Sequence, residues 1–160
     1  MRLFGRDIDA PRLSCWIGDP GTDYSYSRVR FQPRPWPAVV QQLRTELHAL
    51  TGFAFNSVLA NRYRDGRDSM GWHADDEREL GDAPVIASLS FGATRAFRLR
   101  SRHDPGHSSR TLDLGPGSLL LMRGSTQRNW QHSLPKTSRP IGERINLTFR
   151  RIVNAQAPSR

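Results

Sequence analysis

The chain has a single cysteine, Cys15, so no disulfide can form within it. A reducing cytoplasm is the expected setting, nucleoid-associated if the source is bacterial. No run of about 18 apolar residues exists, so neither a spanning helix nor a membrane partner is expected. No signal peptide is legible at the start. The first residues already read as structured sequence, so Met1 need not be the natural beginning. No internal repeat is visible. Acidic residues are few: 15 Asp+Glu stand against 24 Lys+Arg, nearly all of them arginine, which leaves a formal charge of +9. A balance of that size favours an anionic polymer as partner, chiefly nucleic acid.

At 160 residues the expectation is one domain, large enough for a hydrophobic core and monomeric by default. Glycine (13) and proline (11) are plentiful, so turns should be frequent and the fold β-rich rather than a helix bundle. One helix is legible, from Pro35 to Leu50. Trp36, Val39, Val40, Leu43, Leu47 and Leu50 recur at helical spacing, and Gly52 is a plausible stop. It reads as a packing helix without chemistry, with His48 at the surface. Arg12 to Gly18 reads as a strand. Tyr24 and Tyr26 alternate with serines, so both project to one side of an extended segment. From Phe53 onward short strands succeed one another: 54–64, 85–91, 96–100, 111–114, 118–122, 130–134 and 145–153. In the first of these Asn61 and Tyr63 share a face with Phe55 and Leu59, which predicts that all four point inward. The polar, basic stretch 101–110 is a connection, and 155–160 a loose tail. So many short strands with turn punctuation predict a mainly β (α+β) double-sheet jelly roll.

The chemistry is concentrated in Gly71-Trp72-His73-Ala74-Asp75, His132, and Arg144 to Arg150. His73 and Asp75 lie two positions apart, so in an extended segment both leave one face of the backbone. A histidine from a distant strand, His132, can complete three ligands. Two imidazoles and one carboxylate on one face suit a non-haem Fe(II) oxygenase site, with positions left open for a co-substrate and O2. Zinc hydrolases also keep an open position, but no hydrolytic base is evident and the paired arginines would then be unexplained. Many Fe(II) oxygenases take 2-oxoglutarate, whose far carboxylate needs a buried cation. Arginine, with its planar fork, fits that need. In Arg144-Ile145-Asn146-Leu147-Thr148-Phe149-Arg150 four polar residues face one way and three apolar ones the other. Burying such a polar face calls for an anionic partner. Asn61 and Tyr63 can add hydrogen bonds to the same anion.

Asn61-Arg62-Tyr63, His73-Ala74-Asp75-Asp76-Glu77, Ile86 to Gly92, Trp130 to Pro135 and Arg144 to Arg150 stand in order and at matching spacing. Together they resemble the AlkB-type Fe(II)/2-oxoglutarate dioxygenases, nearest to the animal homologues that act on DNA. The resemblance runs from about Leu3 to Val153. It implies a double-stranded β-helix core over 51–153, preceded by a nucleotide-recognition lid and the packing helix over 1–50, with 154–160 as a tail. It implies Fe(II) on His73, Asp75 and His132, and 2-oxoglutarate on Asn61, Tyr63, Arg144, Asn146, Thr148 and Arg150, with Arg144 ahead of Arg150 as clamp of the distal carboxylate. Tyr24 and Tyr26 match the lid over the damaged base, Asp76 or Glu77 would approach its exocyclic nitrogen, and Leu3-Phe4-Gly5 matches a finger that enters the duplex as the base leaves. Arg100, Arg102, Arg110, Lys136 and Arg139 are candidate phosphate contacts. The implied activity is oxidative demethylation of lesions such as 1-methyladenine or 3-methylcytosine in DNA, with O2 consumed and formaldehyde, succinate and CO2 released. The alternatives are the same chemistry on methylated RNA or on a protein side chain, a binding module with a dead metal site, and a cupin-like hydrolase or isomerase.

Overall fold

The computed structural model describes residues 11–26, 29–104 and 109–153, together with the backbone of residues 2–3 and 6–7; for 24–26 and 29–31 it describes the backbone alone. Phe4 and Gly5 lie outside the described residues, and so do the side chains of Tyr24 and Tyr26. Short antiparallel pairs open the chain: β1 (Arg2–Leu3) with β2 (Arg6–Asp7), and, after β3 (Leu13–Gly18), β4 (Tyr24–Tyr26) with β5 (Val29–Phe31). Then come α1 (Ala38–Thr51), β6 (Ser57–Tyr63), β7 (Met70–His73), a 3-10 turn over Arg78–Leu80, β8 (Ile86–Gly92), β9 (Arg95–Ser101), β10 (Ser109–Leu114), β11 (Leu119–Met122), a one-turn helix α2 (Thr126–Asn129), β12 (Trp130–Leu134) and β13 (Arg144–Arg150). The main strands form two sheets, ordered β11-β8-β13-β6-β3 and β10-β9-β12-β7. Every ladder within them is antiparallel. This is the jelly roll that the strand succession predicts.

The period of two sorts side chains into layers. On β13, Leu147 and Phe149 are buried on the helix side with Val58, Ala87 and Ile17, while Val40 and Leu47 of α1 cover them. Phe149 is fully buried, and Trp36 stacks on it at 6.5 Å between ring centroids. The other face of the same sheet looks into the sandwich, where Trp16, Leu59, Ile86 and Met122 meet Phe97 and Leu114 of the smaller sheet. Arg144, Asn146, Thr148 and Arg150 also face this interior, and all four are buried. The register places Asn146 opposite Asn61 and Ser90, and Thr148 opposite Leu59 and Ser88.

Two expectations are corrected. Phe55 does not share a face with Leu59. The chain at 53–56 is not yet a strand, so the alternation starts only at Ser57, and Phe55 packs on the helix side 6.1 Å from Phe149. The helix runs from Ala38 to Thr51, closed by Gly52 in the left-handed region with its N–H on His48 O. Its buried stripe is narrower than its apolar sequence: Val39 and Leu50 are 65% and 74% exposed, because both fall on one flank of the Val40–Leu47 stripe at 3.6 residues per turn.

Candidate metal centre

β7 of the smaller sheet ends at His73, and β12 pairs with it so that His132 lies directly opposite. The two imidazole centroids are 4.2 Å apart, and Phe97 stacks on His132 at 5.2 Å. Asp75, just beyond the strand end, turns into the sandwich and is 1% exposed. One ligand atom from each of His73, Asp75 and His132 lies within 4.8 Å of the others. The structure thus brings together the three residues expected to hold a metal.

Protonation suits that role. His73 Nδ1 sits 2.9 Å from Gly71 O. A carbonyl only accepts, so Nδ1 carries the proton and Nε2 keeps its lone pair for a ligand bond. Burial pulls the His73 pKa below its ordinary value against the pull of Asp75. Burial likewise lowers His132 to about 4. Both rings are therefore neutral at neutral pH, as metal binding needs. Burial alone would push the Asp75 carboxyl up, but Arg150, His132 and His73 together outweigh it and hold it below the usual carboxylate range. Arg150 Nη2 donates to Asp75 Oδ1 at 2.7 Å. The other oxygen, Oδ2, is buried without a hydrogen bond, 3.9 Å from His132 Nε2. An orphaned carboxylate oxygen beside two imidazoles could hold a cation, and the donor set fits Fe(II).

The polar face of β13 continues from this centre. Arg144 is 2% exposed; its Nη2 donates to Ser90 Oγ at 2.9 Å, and its Cζ lies 5.4 Å from the Tyr63 ring centroid. Its Nε has no partner, and among the described residues no carboxylate pairs with it. Asn146 donates to Ser88 Oγ and Leu89 O, and Thr148 donates to Asn146 Oδ1. Asn61 Oδ1 accepts from Arg12 Nε at 3.0 Å and from Ser14 Oγ at 2.8 Å. With the oxygen occupied twice, the amide nitrogen is the donor Asn61 has left to offer, and Asn61 lines a cavity together with His73, Asp75, Asn146, Thr148 and Arg150. A donor amide and a buried guanidinium with a spare N–H are what a dicarboxylate would require.

Two residues that the structure places at this site were not singled out from the sequence. Arg12 lines the cavity and ties the start of β3 to Asn61, but its partner is so distant in sequence that no local pattern marks it. Gln127, fully buried, accepts the backbone N–H of Asp75; the only local signal was its place shortly before His132. Of the expected substrate contacts, Phe4, Gly5, Tyr24 and Tyr26 cannot be placed, for they lie outside the described side chains. Asp76 is half-exposed and its carboxylate is paired with Arg102 at 2.6 Å. Glu77 has a buried carboxylate oxygen.

Comparison with known proteins points the same way. Residues 3–150 match the family described as the 2OG-Fe(II) oxygenase superfamily. The chain is 45% identical over 150 residues to the rat alpha-ketoglutarate-dependent dioxygenase alkB homolog 3, covering 89% of this chain and 50% of that protein. It is 43% identical over 159 residues to the bovine DNA oxidative demethylase ALKBH2, covering 96% and 57%. The chain spans about half the length of the curated relatives it matches. The solved structure of OsALKBH1 superposes with a TM-score of 0.63 at 20% identity over 91% of this chain and 82% of the other, which shows a shared fold. No helix of the described residues is long and apolar enough to cross a membrane.

Proposed function

Because the chain belongs to the 2OG-Fe(II) oxygenase superfamily, we propose that it is an Fe(II)- and 2-oxoglutarate-dependent dioxygenase that removes N-methyl groups from bases such as 1-methyladenine and 3-methylcytosine in DNA. The products are formaldehyde, succinate, CO2 and the restored base. The observation that carries this reading is the pairing of a His73–Asp75–His132 ligand set, two neutral imidazoles and one carboxylate, with a buried arginine, Arg144, that has no carboxylate partner among the described residues. The DNA substrate is supported by the names of the relatives and by the +9 charge.

When bound, Fe(II) would activate O2, the oxidant, with 2-oxoglutarate giving up two electrons as it becomes succinate and CO2 and the methyl C–H bond giving up the other two. The rest is assigned to side chains of this chain. His73, Asp75 and His132 hold the metal. Arg150 fixes the Asp75 carboxylate through its 2.7 Å hydrogen bond and leaves the second oxygen to the ion. Arg144 clamps the far carboxylate of 2-oxoglutarate, Tyr63 lies against that guanidinium, and Asn61, Asn146 and Thr148 line the passage between. Phe97 and Leu99 keep the His132 side apolar, which excludes water from the reacting centre. Tyr24, Tyr26 and Glu77 would hold the base, and Phe4 and Gly5 would take its place in the duplex. The hydroxymethyl product then loses formaldehyde, returning the electron pair to the ring nitrogen. A methylated base carries positive charge and pairs poorly, so nearby carboxylates and easy flipping both favour it.

The test is turnover of an oligonucleotide carrying one 1-methyladenine or 3-methylcytosine, followed by mass spectrometry. Loss of one methyl group that requires both Fe(II) and 2-oxoglutarate is expected, and His73→Ala or Asp75→Ala should abolish it with the fold intact. Turnover that survives either substitution would sink the mechanism. Slow 2-oxoglutarate consumption without demethylation of any DNA strand would move methylated RNA or protein side chains into the substrate's place.

A further inference from the structure

β7 stops at His73, and residues 74–77 belong to no ladder. The Asp75 N–H therefore has no neighbouring strand to donate to, yet it is buried. Its acceptor is a side chain: Gln127 Oε1 at 3.0 Å. Gln127 is 1% exposed and among the largest fully buried side chains of the molecule. Among the described residues its amide nitrogen meets a weak acceptor, Met122 Sδ, at 3.6 Å. A long polar side chain is rarely buried unless a specific hydrogen bond requires it there. Here that bond ends on the backbone of a metal-ligand candidate. The helix bearing Gln127, α2, runs straight into β12, which carries His132. From outside, Arg102 Nη1 donates both to Gln127 O at 3.1 Å and to Asp76 Oδ2 at 2.6 Å, so one guanidinium ties the Gln127 backbone to the residue next to Asp75.

We propose that Gln127 is a positioning residue for Asp75, so that the short segment 126–132 supplies one metal ligand directly and fixes a second through the Gln127 carbonyl. This rests on the reading of His73, Asp75 and His132 as the metal site. The Asp75 carboxylate has two constraints. Arg150 sets the rotation of its carboxyl, and Gln127 sets the backbone from which it springs. With the acceptor removed, the buried N–H must turn elsewhere, and the carboxylate moves with it. Partners one shell beyond a metal ligand typically change metal affinity about 10- to 100-fold, and this bond belongs to that class.

The experiment is anaerobic titration of the full chain with Co(II), read by its visible absorption, alongside thermal unfolding with and without Co(II). Gln127→Met keeps the size and removes the acceptor. It should weaken Co(II) binding by about 10- to 100-fold and shrink the metal-induced rise in Tm. Gln127→Glu keeps an oxygen at the same reach and should restore affinity to within a few-fold of the parent. Should Gln127→Met fail to fold, Gln127→Asn, whose amide is one methylene short of Asp75, carries the same expectation. A folded Gln127→Met that binds Co(II) like the parent overturns the proposal. So does a fall in Tm that is equal with and without metal, because that marks a structural role alone. If the parent binds no Co(II), or binds it equally after Asp75→Ala, it is the metal site itself that fails.

Discussion

A guanidinium buried without a counter-ion is an energetic debt that a ligand can settle, and among the described residues Arg144 is such a group. Ser90 Oγ and the Tyr63 ring satisfy part of it, but neither neutralises charge. Burial accordingly pulls its pKa down, with Tyr63 opposing. Two consequences of opposite sign follow for Arg144→Met. Without co-substrate the variant should be no less stable than the parent, since an uncompensated buried charge costs several kcal/mol. With co-substrate it should lose the thermal stabilisation that a ligand confers by mass action. A charge-assisted hydrogen bond contributes about 1.5–3 kcal/mol, so KM for 2-oxoglutarate should rise roughly 10- to 100-fold, with a smaller effect on kcat. Arg144→Lys should recover little, because an ammonium lacks the two-pronged fork. An unchanged KM in Arg144→Met would remove Arg144 from the co-substrate site. This arginine could be read from the sequence because it alternates with apolar neighbours on one strand. Arg12 could not: its hydrogen bond to Asn61 spans two elements far apart in the chain.

At the scale of the element, β13 is the clearest case of sequence specifying structure. One face carries Arg144, Asn146, Thr148 and Arg150 toward the sandwich, and the other carries Ile145, Leu147 and Phe149 toward α1. The two apolar ends of that second face differ in depth. Phe149 is fully buried between Phe55 and Trp36, whereas Ile145 is 40% exposed beyond the helix. Phe149→Ala should cost about 3–5 kcal/mol in urea unfolding, and Ile145→Ala less than about 1 kcal/mol. Equal costs would mean that α1 does not cover the strand as described. The elements that escaped the sequence are those without periodicity. A single helical turn such as α2 offers too few residues for a 3.6 pattern, and the irregular chain at 53–56 reverses the face that simple alternation assigned to Phe55. The long amphipathic helix and the polar strand were legible because each repeats its period several times.

At the scale of the molecule the governing quantity is charge. Arg98 and Arg100 alternate along β9, away from the Phe97 face that lines the core, and Arg102 follows just beyond the strand end. Arg100 lies over the Trp72 ring at 4.3 Å and donates to Gln131, which holds its guanidinium in place. Arg98 is exposed to solvent. Acidic partners temper this unevenly: among the described residues Arg44, Arg62, Arg64, Arg67, Arg102 and Arg150 are ion-paired with Asp19, Glu143, Asp68, Asp65, Asp76 and Asp75, so the excess resides outside these pairs. If that excess binds a nucleic acid backbone, association must release counter-ions. Log affinity should then fall linearly with log salt, by about 0.9 per phosphate contacted on duplex and about 0.7 on a single strand. The slope should be the same for a methylated oligonucleotide and its unmodified twin, since phosphates do not report the base, while only the methylated one is turned over. Fluorescence anisotropy between about 50 and 200 mM salt, a range over which several phosphate contacts cost orders of magnitude, measures it. An affinity independent of salt would detach the +9 charge from nucleic acid and leave the DNA substrate resting on the relatives' names alone. A slope that steepens for the methylated strand would place charge recognition at the lesion itself rather than along the backbone.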